Sequence, residues 1–337
     1  MDLRLLANLL LGETFITACS TRQVSPIRWT IAFATLLLAV LAVPSAQASE
    51  VAIGVSASQY AVLYEGTGGK NLAISNVIIN GNVGVGGTGV VQFSGPGTIN
   101  GRLDFSAANS GQFKNTNGSN VGPTSVNYSV AAVTTALNDV LSLNSSLAGL
   151  GNALAINGNQ TINESAGQLD TVNGVTYRVF NITSYSSGDG KLLTINGDGS
   201  GDPVVFNFAF NSNVNLGGDV TLNGLNDDQV LWNFTTSGKN ISLNNNASSF
   251  PKLAFQGIIL APNDAISLVN ANLDGRAFGG DSSDMQIVSG DTIKAPGVIP
   301  EPGTIALLGS GILALGSFLR RRKISSSGYQ DHNYPAL

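Results

Sequence analysis

The chain has a single cysteine, Cys19, and a single histidine, His332, and both lie outside its central part. The central part therefore cannot form a disulfide bond or a Cys/His metal site, and histidine-based catalysis is excluded there. Charged residues make up only 11% of the 337 residues, and the formal net charge is −5. Phosphate binding needs clustered Lys and Arg, which occur here only near the two termini, so we expect no nucleic-acid partner. No cofactor and no metal ion is predicted.

Glycine is abundant, with 41 residues, and short apolar runs end repeatedly at Gly, Asn or Pro. A composition dominated by Val, Ile, Thr, Phe, Asn and Gly favours many short strands separated by turns. Three runs in which apolar residues alternate predict such strands: VVFNFAF (204–210), VLWNF (230–234) and LAFQGIIL (253–260). The composition thus indicates a mainly β protein that can bury a core.

Short motifs recur at steps of 20 to 27 residues. Asn207 and Asn233 occupy equivalent positions, and ISL occurs at 241–243 and 266–268. Further related motifs are TING (194–197), TLNG (221–224) and LDGR (273–276), and IINGNVGV (78–85) is similar to TINGRLDF (98–105). Such steps are typical of a stacked solenoid, whose coils share one core. A β-sandwich of Asn-Gly hairpins is the alternative, but its turns would recur every ~8–12 residues, so the spacing favours a parallel β-helix.

One segment, 126–149, departs from the strand pattern. Its apolar residues recur at steps of three, four and seven: Val126, Val130, Val133, Leu137, Val140 and Leu147. This spacing predicts one long amphipathic helix, opened by Ser125 or Ser129 and closed by Gly149 or Gly151. We expect the helix to lie along the flank of the solenoid and to cover apolar coil.

Residues 1–48 have the features of a secretory signal peptide. A basic residue and an apolar run at 29–43 precede the small residues Ala46 and Ala48, and we expect a signal helix with cleavage after Ala48. The Sec export machinery is the implied partner, while a buried helix and a membrane anchor are the alternatives. The leader is longer than usual, which suggests a start annotated too far upstream, with Val24 as the first position.

The segment 298–323 joins three features. These are the triplet Pro300, Glu301 and Pro302, a mostly apolar run at 304–319, and the basic residues Arg320, Arg321, Arg322 and Lys323. A run of this length barely crosses a membrane, and the basic residues are expected to stop it and hold that end in the cytoplasm. The prolines leave the glutamate in an extended link.

This layout resembles the PEP-CTERM sorting signal of Gram-negative bacteria. The resemblance implies a precursor held transiently in the inner membrane by a C-terminal transmembrane helix. It also implies cleavage near the triplet by an exosortase-type processing enzyme, and delivery to the cell surface or the extracellular, exopolysaccharide-containing matrix. Residues 324–337 form an expected cytoplasmic tail, which departs from the family because its members generally end soon after the basic run. A plain membrane anchor is the alternative.

The body, 49–297, carries a second resemblance. INGNVGVGG, AVTTALNDVLSLNSSLAGL, LLTINGDGSGDPVVFNFAF, DDQVLWNF and FQGIILAPNDAISLVNANLDGRAFGG follow one another in this order. The order is similar to that of the choice-of-anchor A family and of the ice-binding-like β-solenoid domains, over most of 55–288. The resemblance implies a right-handed parallel β-helix with one flanking helix, carried by an exported protein. It implies no reaction.

Aspartates suggest two kinds of site in the body. GDGSGDP (197–203) brings together Asp198 and Asp202, as a calcium loop would, but a calcium-binding repeat needs several copies in register, so a turn is favoured. Carboxylates also pair at Asp227 and Asp228, and at Asp281 and Asp284. Pairs held ~5–9 Å apart can hydrolyse glycosides, yet acids in turns are usually turn formers. We expect no enzyme.

Ice binding would need a flat face of regularly spaced Thr, Ser or Ala. The sequence has no Thr-x-Thr array, and its threonines are not expected to align from coil to coil. The sequence therefore predicts an exported structural or adhesive solenoid at the cell surface or in the matrix, and exopolysaccharide is the candidate partner there. An ice- or carbohydrate-binding solenoid is the alternative, followed by a polysaccharide-active enzyme.

Overall fold

A computed structural model describes residues 49–107, 112–116, 120–188, 190–244, 252–280 and 283–296. In these ranges the protein is mainly β, with one α-helix. In chain order the elements are β1 Tyr60–Tyr64, β2 Asn71–Ser75, β3 Ile78–Asn80, β4 Asn82–Val85, β5 Val90–Ser94, β6 Gly97–Ile99, β7 Arg102–Phe105, β8 Phe113–Asn115, β9 Asn120–Val121, β10 Ser125–Asn127, α1 Ala131–Leu147, β11 Asn152–Asn157, β12 Gln160–Asn163, β13 Gln168–Val172, β14 Val175–Ser186, β15 Leu192–Asn196, β16 Val204–Phe208, β17 Val214–Asn215, β18 Asp219–Asn223, β19 Val230–Phe234, β20 Asn240–Asn244, β21 Leu253–Ala261, β22 Ala265–Val269, β23 Ala271–Gly279, β24 Met285–Val288 and β25 Thr292–Lys294.

The strands form a solenoid with three faces. The helix face has the order β10-β7-β4-β1-β23-β21-β19-β16-β14-β11, and the seven-stranded face has the order β17-β20-β22-β24-β2-β5-β8. The third face consists of β12-β15-β18, the first halves of β21 and β23, and then β25-β3-β6-β9. Within the described ranges every strand pair is parallel except the hairpin β13–β14. The predicted parallel solenoid is therefore confirmed.

The order of coils along the solenoid differs from their order in the chain. Val62 of β1 pairs with Ala277 of β23, so the first and the last coils meet in the middle. From β1 the chain proceeds outward through β4 and β7 to β10, and after α1 it resumes at the opposite end with β11. It then returns through β14, β16, β19 and β21. The helix thus links the two ends of the solenoid.

Burial differs between the faces because α1 covers one of them. All five residues of β1, β16 and β19 are buried, since one side of each strand faces the solenoid core and the other lies under the helix layer. Strands of the seven-stranded face, such as β2 and β20, alternate between buried and half-buried or exposed residues. Two-sided burial explains why the helix face has nearly continuous apolar runs in the sequence.

The helix is shorter than the sequence predicts. It occupies Ala131–Leu147, because Val126 belongs to strand β10 and packs into the solenoid core. The predicted stripe is confirmed within the helix for its buried valines and its last leucine, whereas Leu137 is only half-buried. Val130, not a serine, is the residue that precedes the first turn.

Buried amides dock α1 onto the sheet. Asn144 of the helix donates to Asn233 Oδ1 at 2.7 Å and to the Phe234 carbonyl at 2.8 Å. Asn233 Nδ2 donates to Asn207 Oδ1 at 2.8 Å, and Asn207 Nδ2 donates to the Leu147 carbonyl at 2.6 Å. Each of these side chains is nearly inaccessible to solvent. The repeated asparagine predicted from the sequence thus connects neighbouring coils to the end of the helix.

Aromatic rings pack against one another through the solenoid core from coil to coil. The ring centroids of Phe180 and Phe206 are 5.4 Å apart, those of Phe206 and Trp232 are 4.7 Å apart, and those of Trp232 and Phe255 are 4.9 Å apart. Such pairs contribute about 0.5–1.5 kcal/mol each beyond burial. Among the described residues, the two buried clusters extend from Val51 to Ala295. The described part of the segment 49–296 therefore contains a packed apolar core.

Candidate functional site

Three neighbouring strands of the third face, β12, β15 and β18, repeat the same pair of outward-facing side chains. We call them the ladder surface: Thr161, Asn163, Thr194, Asn196, Thr221 and Asn223. The three threonines lie in register, and so do the three asparagines. Asn223 Nδ2 donates to Asn196 Oδ1 at 3.0 Å, and Asn196 Nδ2 donates to Asn163 Oδ1 at 3.1 Å. These bonds fix the amide planes, so the surface is regular. It carries no charge, because all six of its side chains are threonines or asparagines.

The expectation that threonines would not align is wrong for the ladder surface. Its asparagines follow one another at steps of 33 and 27 residues, because the hairpin β13–β14 adds residues to one coil. Unequal steps hide the register from a fixed-period comparison. The recurring words TIN, TIN and TLN were the available sequence signal.

The pattern is less regular on the rest of the third face. One outward column of this part of the face holds threonines on β25 and β6, but Ile78 lies between them on β3. In the neighbouring column, which contains the asparagine amides, Lys294 and Asp274 form an ion pair of 3.4 Å instead. The amides resume where Asn100 Nδ2 donates to Asn80 Oδ1 at 2.7 Å. The ladder surface, three of the nine strands, is therefore the regular part of this face.

The seven-stranded face is polar but mixed. Its central outward column is Asn215, Ser242, Ser267, Gln286, Ala73, Gln92 and Lys114. Within this column only the two serines place the same side chain on neighbouring strands. A ligand with a regular repeat would meet a different group at nearly every coil of this face.

Protein groups surround the aspartates of GDGSGDP, for which the sequence favours a turn over a calcium loop. Arg178 reaches both aspartates: its Nη2 lies 3.3 Å from Asp198 Oδ2, and its Nε lies 3.5 Å from Asp202 Oδ2 as an ion pair without a hydrogen bond. Buried Glu164 accepts bonds from the Asp198 N–H at 2.8 Å and from the Ser200 hydroxyl at 2.7 Å. The Ser200 N–H and then its side chain lower the pKa of Asp198. These contacts give the acids a role in shaping the turn.

Asp228 lines a cavity of about 320 Å³ beneath the segment 50–55, together with Glu50 and Arg276. Burial, followed by the carboxylates of Glu50 and Asp227, raises the pKa of Asp228 to about 6. Arg276 Nη1 donates to the Tyr60 carbonyl at 2.6 Å. Asp228 Oδ1 and Arg276 Nε have no hydrogen-bond partner within the described part of the chain. Asp227 and Asp228 are consecutive residues of one 3-10 turn, so they do not face each other across a cleft.

The other predicted positions divide between turn acids and undescribed segments. Asp284 accepts a bond from the Asn71 N–H at 2.8 Å and so fixes the start of β2, while Asp281 lies outside the described residues. The cleavage site, the sorting triplet and the basic stop also lie outside them: Ala46, Ala48, Pro300, Glu301, Pro302, Arg320, Arg321, Arg322 and Lys323. Over the ranges that the structure covers, no helix is long and apolar enough to span a membrane. The same ranges contain no cluster of three potential metal ligands.

Comparisons with solved structures return ice-binding proteins. The chain is 14% identical to one from the Antarctic ascomycete Antarctomyces psychrotrophicus, over 74% of this chain and 100% of that one, with a TM-score of 0.45. It is 18% identical to an antifreeze ice-binding protein from an Arctic yeast, over 73% and 94%, with a TM-score of 0.44. It is 15% identical to the DUF3494 domain of Shewanella frigidimarina ice-binding protein 1, over 72% of this chain and 97% of that one, with a TM-score of 0.40. No curated protein matches the chain.

Two family models match the sequence. The PEP-CTERM protein-sorting motif matches residues 298–323. The model described as "Putative Ice-binding-like adhesive domain" matches residues 47–287, which is more than half of the chain. The chain therefore belongs to the ice-binding-like adhesive domain family and carries a PEP-CTERM sorting motif behind that domain.

Proposed function

We propose that the protein is exported and acts as an adhesive at the cell surface or in the extracellular matrix. The family of its body and the sorting motif behind it support this proposal. In this scheme the Sec machinery exports the chain, and the leader is cut after Ala48. The segment 298–323 then holds the precursor in the inner membrane of a Gram-negative bacterium until an exosortase-type enzyme cuts near Glu301.

The observation that carries the adhesive role is the ladder surface. Neighbouring strands are ~4.8 Å apart, and side chains two residues apart on a strand are ~6.6 Å apart, so hydroxyls and amides form a regular grid. A polymer that repeats its own hydroxyls can bind such a grid through many weak hydrogen bonds at once. Because the grid carries no charge, a neutral stretch of exopolysaccharide is the ligand class that fits it.

Ice is the second candidate ligand, favoured by the in-register threonine column. Ice also presents hydrogen-bond donors and acceptors in a fixed lattice, here from water molecules, and a surface whose amides are held by hydrogen bonds within the protein loses little conformational freedom on binding. The two ligands make separate predictions, since ice binding depresses the freezing point and polysaccharide binding does not require it.

The test uses the segment 49–296 and two double variants with equal added charge. Thr161→Lys/Thr221→Lys places lysines on the ladder surface, and Gln92→Lys/Gln286→Lys places them on the seven-stranded face. Cosedimentation with the exopolysaccharide of the producing bacterium measures the first ligand, and thermal hysteresis measures the second. We expect the ladder variant to lose binding at least tenfold and the control to keep it. Equal binding by both variants, or no binding by the wild type to either ligand, would overturn the proposal.

A further inference from the structure

The solenoid ends in an open coil formed by β11 and β12. Within the described ranges, β14 and β15 are their strand neighbours on one side, and no strand pairs with the other side. The coil, residues 152–163, contains no charged residue and no proline. Uncharged edge strands without proline pair readily with another chain. A second copy stacked head to tail would bring the strands of its opposite end, β8, β9 and β10, alongside this edge in parallel, so end-to-end association is the hazard that this edge creates.

The side chain of Gln160 lies across the outer edge of β11. Its Nε2 donates to the Ala155 carbonyl at 3.3 Å, and its Oε1 accepts from the Asn157 N–H at 3.1 Å. In a parallel ladder, the residue opposite Ile156 would donate its N–H to residue 155 and accept the N–H of residue 157. The Gln160 amide therefore makes the two bonds that one residue of an added parallel strand would make.

A second side chain acts on the same edge. Asn152 Nδ2 donates to the Ala166 carbonyl at 2.9 Å, and its Oδ1 accepts from the Gln168 N–H at 3.3 Å, so Asn152 ties the start of β11 to the segment that leads into β13. Local side chains thus bond at the start of β11 and on both sides of Ile156.

We propose that Gln160 is an edge-blocking residue that keeps the solenoid from growing end to end by strand pairing with a second copy of the chain. Its amide occupies the part of β11 where an incoming parallel strand would bond. This inference concerns the end of the solenoid and is independent of the ligand of the ladder surface.

Sedimentation velocity of the segment 49–296 over a hundredfold concentration range tests the proposal. We expect Gln160→Ala to raise the weight-average mass with concentration, relative to the wild type. The matched control is Gln92→Ala, which removes an exposed glutamine from β5 in the interior of a sheet, and it should sediment as the wild type does. A folded Gln160→Ala variant that sediments as the wild type does would overturn the proposal.

Two more variants separate strand pairing from misfolding. Gln160→Met keeps the length of the side chain but has neither the donor nor the acceptor, so it should associate even if Gln160→Ala unfolds. Adding Ala155→Lys to either variant places a charge on the opened edge and should restore the wild-type mass. Association that persists with Ala155→Lys would mean that another surface is involved, and that result also overturns the proposal.

Discussion

Gly275 lies where β23 bends from the third face to the helix face, with a φ of +151°. A Cβ at this position would lie 1.9 Å from the carbonyl oxygen of Gly257, its register partner in β21. Gly275→Ala is therefore expected to lower the free energy of unfolding by about 3 kcal/mol or more, from backbone strain and overpacking. Urea denaturation measures the loss. Gly188→Ala, where a Cβ meets no atom within 4 Å, is the control; equal stabilities of the two variants would contradict the tight bend.

Asp228 makes stability depend on pH. Its folded pKa of about 6 lies above the ~3.9 of an unfolded aspartate, because it is buried beside Glu50 and Asp227. Its contribution to stability is thus fully present below about pH 4 and is lost as the pH rises through 6. Asp228→Asn should flatten the fall in stability between pH 4 and 7, as measured by urea denaturation. Asp170→Asn, on the β13 hairpin, controls for loss of a carboxylate; parallel curves for wild type and Asp228→Asn would refute the assignment.

At the scale of elements, α1 is stabilised by its buried stripe and not by its caps. Leu147 is fully buried against the helix-face strands, whereas Leu141 is 38% exposed. Leu147→Ala should cost about 2–5 kcal/mol, since a cavity remains in a packed layer. Leu141→Ala should change the unfolding free energy by less than about 1 kcal/mol. Thermal and urea unfolding of the two variants would show no difference if the helix were only loosely attached.

The sequence predicts elements well where the pattern is local. VLWNF coincides with β19, and the two ISL words pair residue for residue in β20 and β22. The prediction fails at 126–130, because Val126 falls at helical spacing while belonging to a buried strand. A single valine in the core of either element satisfies the same apolar pattern, so spacing alone could not separate them.

The ladder surface shows the other limit of sequence reasoning. Thr161 and Thr194 are neighbours only because β12 pairs with β15 across the intervening β13–β14 hairpin. The register of the two strands is set by the core residues Ile162 and Ile195, which follow these threonines. A slip of one strand by one residue would expose apolar side chains. The words TIN are visible in the sequence, but their alignment is a property of strand pairing.

For the whole molecule, the split order of coils has a consequence for folding. The contact of Val62 with Ala277 joins the two halves of the solenoid, and its sequence separation is large. Non-local parallel pairing of this kind is slow, since loop closure must precede its stabilising contacts. The solenoid can close in the middle only after the segment that follows α1 has reached β1.

The sorting segment 298–323 follows the last coil, and its parts have separable physical requirements. The apolar run and the basic stop need only length, hydrophobicity and positive charge, so Leu307→Ile should have no effect. Neither an anchor nor a span requires the triplet, so we expect a processing enzyme to recognise its two prolines and its single carboxylate. Glu301→Ala or Pro302→Ala should leave insertion intact and block release. Immunoblots of inner-membrane and surface fractions measure this. Triplet variants that reach the surface as the wild type does would leave a plain membrane anchor as the function of the segment.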